Sequence, residues 1–299
     1  MEALAGGLAG LQSVGNELRS LLHARIADFL PYFIFFCLVS FLCERALPLY
    51  SAGVFDACAR KRAREGKPLP TDALALAAAR ARMAAGVRTS VVSSLMAAYV
   101  AALSLYGLLS PATSAALRAD LGAETPLSRH VCNVAVAFFL WDLLYCWEDA
   151  VFIVHGLACL AVFTGALRPF LHHMALVTLL FEASTPFLHA RRALIDMDLT
   201  DNAWFFFANH GFSATFFLAR IAHGLWACGL WWLQVEAARA SGALAAERAP
   251  MVRMYQALCL LLSGLNVFWF FFKIAPNYCA VRRPAPKAAA AKKGGKKGE

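Results

Sequence analysis

Charge is scarce in this chain. Asp, Glu, Lys and Arg make up 16% of the 299 residues while hydrophobic residues reach 60%, which excludes an ordinary soluble domain, where charged residues supply roughly a quarter. Metal-ligand spacing is also absent. Nine cysteines are present, but no CxxC pair or Cys/His spacing accompanies them, so zinc and a disulfide framework are both excluded and the thiols read as packing residues. The net charge of +9 comes with no nucleic-acid motif, since the basic residues gather in loops and a tail beside apolar runs. No secretory leader has its parts in order within Met1–Ala27, so that stretch reads as an uncleaved segment at the interface.

What is there is a series of long apolar runs. They predict an all-α, polytopic transmembrane helical bundle of seven spans, near Phe29–Leu49, Thr89–Leu109, Arg129–Trp147, Ala150–Leu167, Phe170–His189, Trp204–Trp232 and Met251–Ile274. Four units follow: a leader over 1–27, the first span with a basic loop over 28–87, the main bundle over 88–275, and a disordered basic tail over 276–299. Within the basic loop, Asp72–Ala85 is rich enough in Ala to be helical. Pairs such as Ser110-Pro111 and Arg168-Pro169 close the runs, and Glu148-Asp149 marks a tight turn.

Orientation follows from the loops. With the N-terminus lumenal and the C-terminus cytosolic, the cytosolic segments hold roughly twice as many Lys and Arg as the others, as the positive-inside rule requires. Lys296 and Lys297 then stand at the third and fourth places from the end, as in a dilysine signal read by retrieval machinery that returns proteins to the endoplasmic reticulum. Attraction to anionic lipid is a second consequence of the basic loops.

A few ionisable groups interrupt the spans. Asp142, His155 and Glu182 are each flanked by apolar residues, and burying such groups in lipid is so costly that they are expected to face one another or a water-filled cavity. Counted from the cytosolic span ends they lie about 7–11 Å deep, and Asn209 and His210 fall at a similar level. The layer predicts a polar pocket open toward the cytosol. His155 beside a carboxylate could act as base or acyl-accepting nucleophile, or only tie helices together. Arg220 and His223 share a helix face, where Arg220 needs a carboxylate or a lipid head group. Trp226, Trp231 and Trp232 read as an interfacial belt. The adjacent His172-His173 falls at the far end of the fifth span, as interfacial histidines beside Arg168.

The run Leu179-Leu180-Phe181-Glu182-Ala183-Ser184-Thr185-Pro186-Phe187-Leu188 resembles the E-x-S-[ST]-P-F segment of the TLC-domain family. Those multi-pass membrane proteins include the ceramide synthases and members concerned with membrane lipid composition. Asp142 in Trp141-Asp142-Leu143-Leu144 is similar to the family's Asp, and Phe216-Phe217-Leu218-Ala219-Arg220-Ile221 to its F-F-x-x-R-I segment. His155 falls where the family carries a histidine pair, but Gly156 stands in the second place. Glycine offers no base or nucleophile, and the acidic segment of ceramide synthases is missing.

The resemblance therefore implies a lipid-binding, lipid-regulating protein, with membrane lipids as partners, no nucleic acid, no cofactor and no metal. Glu182, Ser184, Asn209, His210 and Arg220 are its candidate lipid contacts. An acyl-CoA-dependent N-acyltransferase, with acyl-CoA as substrate and His155 and Asp142 catalytic, is the alternative. Paired broken helices of a transporter are not evident.

Overall fold

The computed structural model describes residues 2–145, 150–244 and 248–282. Every regular element among the described residues is helical. α1 (Glu2–Ala24), α2 (Ile26–Ala46), α3 (Pro48–Arg64), α4 (Ala73–Leu109), α5 (Pro111–Ala119), α6 (Pro126–Tyr145) and α7 (Ala150–Gly165) come first. α8 (His172–Leu179), α9 (Thr185–Asp196), α10 (Ala203–Phe216), α11 (Gly224–Ala240), α12 (Ala249–Trp269) and α13 (Ala275–Arg282) follow. Among the described residues, five helical stretches are long and apolar enough to cross a membrane: Ile26–Ala46, Ala73–Leu109, Pro126–Tyr145, Ala203–Ala240 and Ala249–Tyr278. The expected fourth span is the shorter α7, of 16 residues.

The expected fifth span is broken rather than continuous. Pro186 lies in the first turn of α9 and has no N–H to carry a helix through, and Leu180–Ser184 tightens into a 3-10 turn between α8 and α9. That turn carries Glu182 out of register with a straight helix. A second irregularity falls in the sixth span, where Phe217–His223 forms a π-turn joining α10 to α11. A third, at Phe270–Ile274, joins α12 to α13.

Helix extends further than the sequence alone indicates. Pro48, at a first-turn position where its missing N–H costs nothing, opens α3 in the first half of the expected polar loop. Asp72 caps α4 through a 2.7 Å bond from the Ala75 amide. α4 then runs 37 residues without a break, about 55 Å and well beyond the apolar thickness of a bilayer. α5 occupies part of the loop expected at Pro111–Ser128, and α13 makes the first residues of the expected disordered tail helical. Residues 283–299, including Lys296 and Lys297, and the expected turn at Glu148 and Asp149 lie outside the described residues.

α6 is the axis of the bundle. Val131 to Phe139 and Trp141 are buried on it, and it packs against α2, α4, α7 and α8. The leader is no free interfacial segment: α1 packs on α7 and α12, and its Glu17 carboxylate pairs with Arg168 at 2.6 Å. His130 of α6 links α2 and α4, meeting the Tyr32 hydroxyl at 2.8 Å and the Tyr99 hydroxyl at 2.7 Å. Beyond the end of α7, Leu171 adopts a left-handed conformation (φ 59°) and its amide donates to Leu121 O at 2.7 Å. This turn delivers His172 into the interior. It is 1% exposed, so it is no interfacial residue.

Candidate functional site

A cavity of about 90 Å³ runs between α7, α8, α11 and α12. One end is polar, with His155, Glu182, Arg220 and Asn266, and the other is closed by Leu171, Trp231 and Tyr255. Along α7 the lining extends from His155 to Ala166, about 16 Å at the helical rise. Its walls are apolar, apart from Thr178, Ser263 and three thiols. At the closed end the Tyr255 hydroxyl donates to Val162 O at 2.9 Å, which satisfies it within the wall. Gly165 makes that possible, since a Cβ there would collide with the hydroxyl.

The polar end is organised by Arg220. The π-turn places its side chain inside the bundle, 8% exposed. Its Nε donates to Phe181 O at 3.0 Å, Nη1 to Asn266 Oδ1 at 3.3 Å, and Nη2 pairs with Glu182 Oε1 at 3.6 Å. The guanidinium also lies over the rings of Phe181 and Phe216, at 5.9 and 5.1 Å. Glu182 accepts from Thr185 Oγ1 at 2.7 Å with its other oxygen. Gly224 permits the approach, because a Cβ there would strike the Phe181 ring at 2.7 Å. Two opposite charges buried together compensate each other's lost hydration, so the pair tolerates an apolar site that neither charge would tolerate alone.

His155 sits beside this pair with capacity unused. Its Nε2 meets the Cys159 thiol, one helical turn on, at 3.6 Å, and its ring stands edge-on to Trp269. Its Nδ1 is buried and has no hydrogen-bond partner among the described residues. Among the described residues no carboxylate hydrogen-bonds His155, so the expected His155–Asp142 pairing is not what the fold builds. Asp142 lies on α6 opposite the next residue of α7. A Cβ on Gly156 would stand 3.1 Å from Leu143 Cδ2 and 3.9 Å from Asp142 Oδ2, so a larger side chain at that position would press first on Leu143.

The remaining candidates divide. Glu182, Arg220 and His155 meet at the cavity, whereas Asn209, His210 and Ser184 do not line it. The Asn209 side-chain oxygen accepts from Arg191 Nε at 2.8 Å, joining α10 to α9. His210 is held against Phe206 O at 2.8 Å and the Tyr278 ring. Ser184 donates to Phe181 O at 3.1 Å and steadies the 3-10 turn. A depth count along each span carries no information on which way a helix face turns, and it is the facing that separates these groups. Of the expected tryptophan belt, Trp226 is exposed, but Trp231 is buried in the cavity wall. Asn266 and Cys159 were not singled out. Asn266 was detectable, as an amide within an apolar run, whereas Cys159 resembles any packing cysteine.

The arrangement defines a helical membrane protein with an intramembrane cavity that is polar at one end and apolar along its length. The TLC-domain profile matches residues 87–275, and the chain belongs to the TLC-domain family. It is also 28% identical over 200 residues to an uncharacterised TLC domain-containing protein of Saccharomyces cerevisiae, covering 60% of this chain and 59% of that one. The chain thus spans less than two thirds of that relative's length. No solved structure matches it.

Proposed function

We propose that this protein holds a membrane lipid in the cavity, acyl chain toward Tyr255 and polar end toward His155, Glu182, Arg220 and Asn266, and thereby influences membrane lipid composition. The supporting observation is the shape and chemistry of the cavity: a narrow apolar passage with one hydrogen-bonding end suits a single chain bearing a polar terminus. Because Arg220 is occupied by Glu182, Asn266 and Phe181 O, the lining group there with hydrogen-bonding capacity unused is the His155 imidazole. Mass spectrometry of lipid retained by the purified protein tests this. Cys159→Trp, which fills the passage, is expected to remove the retained lipid; retention at the wild-type level by a folded variant overturns the proposal. Residence in the endoplasmic reticulum belongs to the same reading and is tested by imaging the full chain with Lys296 and Lys297 changed to Ala.

The unpartnered Nδ1 favours a second reading, acyl transfer. The nitrogen of a long-chain amine would attack the acyl-CoA carbonyl, His155 would take the amine proton and pass it to the departing thiolate, and an amide and CoA would result. Incubating purified protein with acyl-CoA and a long-chain amine decides between them. Amide formation abolished by His155→Ala supports transfer, and no turnover with intact lipid retention supports binding alone.

A further inference from the structure

A second cavity, of about 280 Å³, lies outside the inner site, between the α2–α3 junction and α4. Glu44, Leu47 and Ser51 line one side, and Ala81, Ala84 and Arg88 the other. The α4 residues fall three or four apart and so share one face, where the alanines leave space in front of the arginine. Arg88 is poorly used where it stands. Nη1 donates to Glu44 Oε2 at 3.2 Å, the guanidinium lies 5.1 Å over the Tyr145 ring, and Nε is buried with no acceptor among the described residues.

The ion pair is also lopsided. Glu44 is 64% exposed at its side chain and Arg88 19%, so water solvates the carboxylate while the cation faces the cleft. An exposed carboxylate contributes little to such a pair, and a guanidinium with five donors has several left over. The level is informative as well. Glu44 ends the apolar run of α2, and Arg88 stands where the apolar part of α4 begins, so by composition the cleft lies at the edge of both apolar runs, the level at which head groups are expected. Arg60, Lys61, Arg62, Arg80 and Arg82 on α3 and the outer turns of α4 add a positive field, while Arg64 is paired with Asp198.

We propose that this cleft is a phosphate site, in which Arg88 donates its free N–H groups to a phosphate and Glu44 is the competing anion that the phosphate displaces. It is independent of the lipid reading of the inner cavity. A guanidinium offers paired donors that suit a phosphate better than a carboxylate held by one bond.

The test is native mass spectrometry of the full chain in detergent, titrated with phosphatidate, with zwitterionic phosphatidylcholine as control. Arg88→Gln is expected to weaken phosphatidate binding about tenfold, the usual cost of losing a charge-assisted contact. Ala84→Leu, which fills the cleft and leaves the ion pair alone, is expected to do the same, and Glu44→Gln to strengthen binding. Cys159→Trp in the inner cavity is expected to leave it unchanged. Competition by inorganic phosphate assigns the site to a soluble anion, and its absence to a lipid head group. Equal binding by wild type, Arg88→Gln and Ala84→Leu, each eluting as a folded monodisperse species, overturns the proposal, as does Glu44→Gln weakening binding as much as Arg88→Gln.

Discussion

Two of the bundle's imidazoles, His172 and His155, are treated in opposite ways. His172 is fully satisfied. Ser128 Oγ lies 2.8 Å from Nδ1, and Nε2 faces Ala166 O at 2.8 Å and Arg168 O at 3.2 Å. Two carbonyls at Nε2 require that nitrogen to carry the hydrogen, so Nδ1 accepts from the serine. The ring thereby fastens the start of α6 and the end of α7 to the start of α8. His155 has a weak thiol contact at one nitrogen and nothing at the other. A buried ring with all its bonds made serves the fold, and one with a bond unmade beside a cavity is available to a ligand.

Four measurements break or sharpen that contrast. The largest effect is expected where a satisfied group is a charge: Arg220→Met leaves Glu182 buried and uncompensated and is expected to cost about 3–5 kcal/mol, read as a lowered thermal midpoint in detergent. His172→Ala comes next, at about 2–4 kcal/mol for a buried cavity and orphaned carbonyls, with lipid retention of the folded fraction unchanged. His155→Ala is expected to reverse that pattern. Since the ring makes no strong bond, stability should change by less than about 1.5 kcal/mol, whereas retained lipid falls. If His155→Ala destabilises as much as His172→Ala, the distinction between the two imidazoles fails.

The smallest effect is expected at the surface. Arg129 donates to Glu124 Oε2 at 3.1 Å and holds the carboxyl below its ordinary range. A group whose folded pKa is depressed contributes stability above its unfolded pKa and loses it as pH falls through the folded value. Glu124→Gln should therefore lower the thermal midpoint slightly at neutral pH and reduce its decline in acid, in a pH series of melting curves.

A second contrast shows why some of this was legible and some was not. α6 is less apolar than the stretch Ala249–Tyr278, yet 61% of its most apolar part is buried, against 6% for the other. In water the more apolar helix would be the inner one. In a bilayer both surroundings are apolar, so hydropathy reports that a helix spans and not which helix is central. The helical, membrane-spanning character of the chain could thus be read directly, and so could the abnormal groups Asp142, His155, Glu182 and Arg220, because each violates the composition of its run. The facing of each group could not. Asp142 turns to Gly156 rather than to His155, and Asn209 turns to Arg191, choices made by helix rotation. The break at Leu180–Ser184 was hidden as well, although Pro186 signals it in retrospect.

The amino-acid order alone determined that this chain lives in a bilayer as helices and that a handful of polar side chains must be sheltered there, because an unsatisfied charge in hydrocarbon has no water to turn to. Tertiary structure alone decided that Arg220 shelters Glu182 while His155 is left open to the cavity. Partners between helices depend on rotation, crossing and the 3-10 and π turns that shift register, and these are set by contacts between residues far apart in the chain.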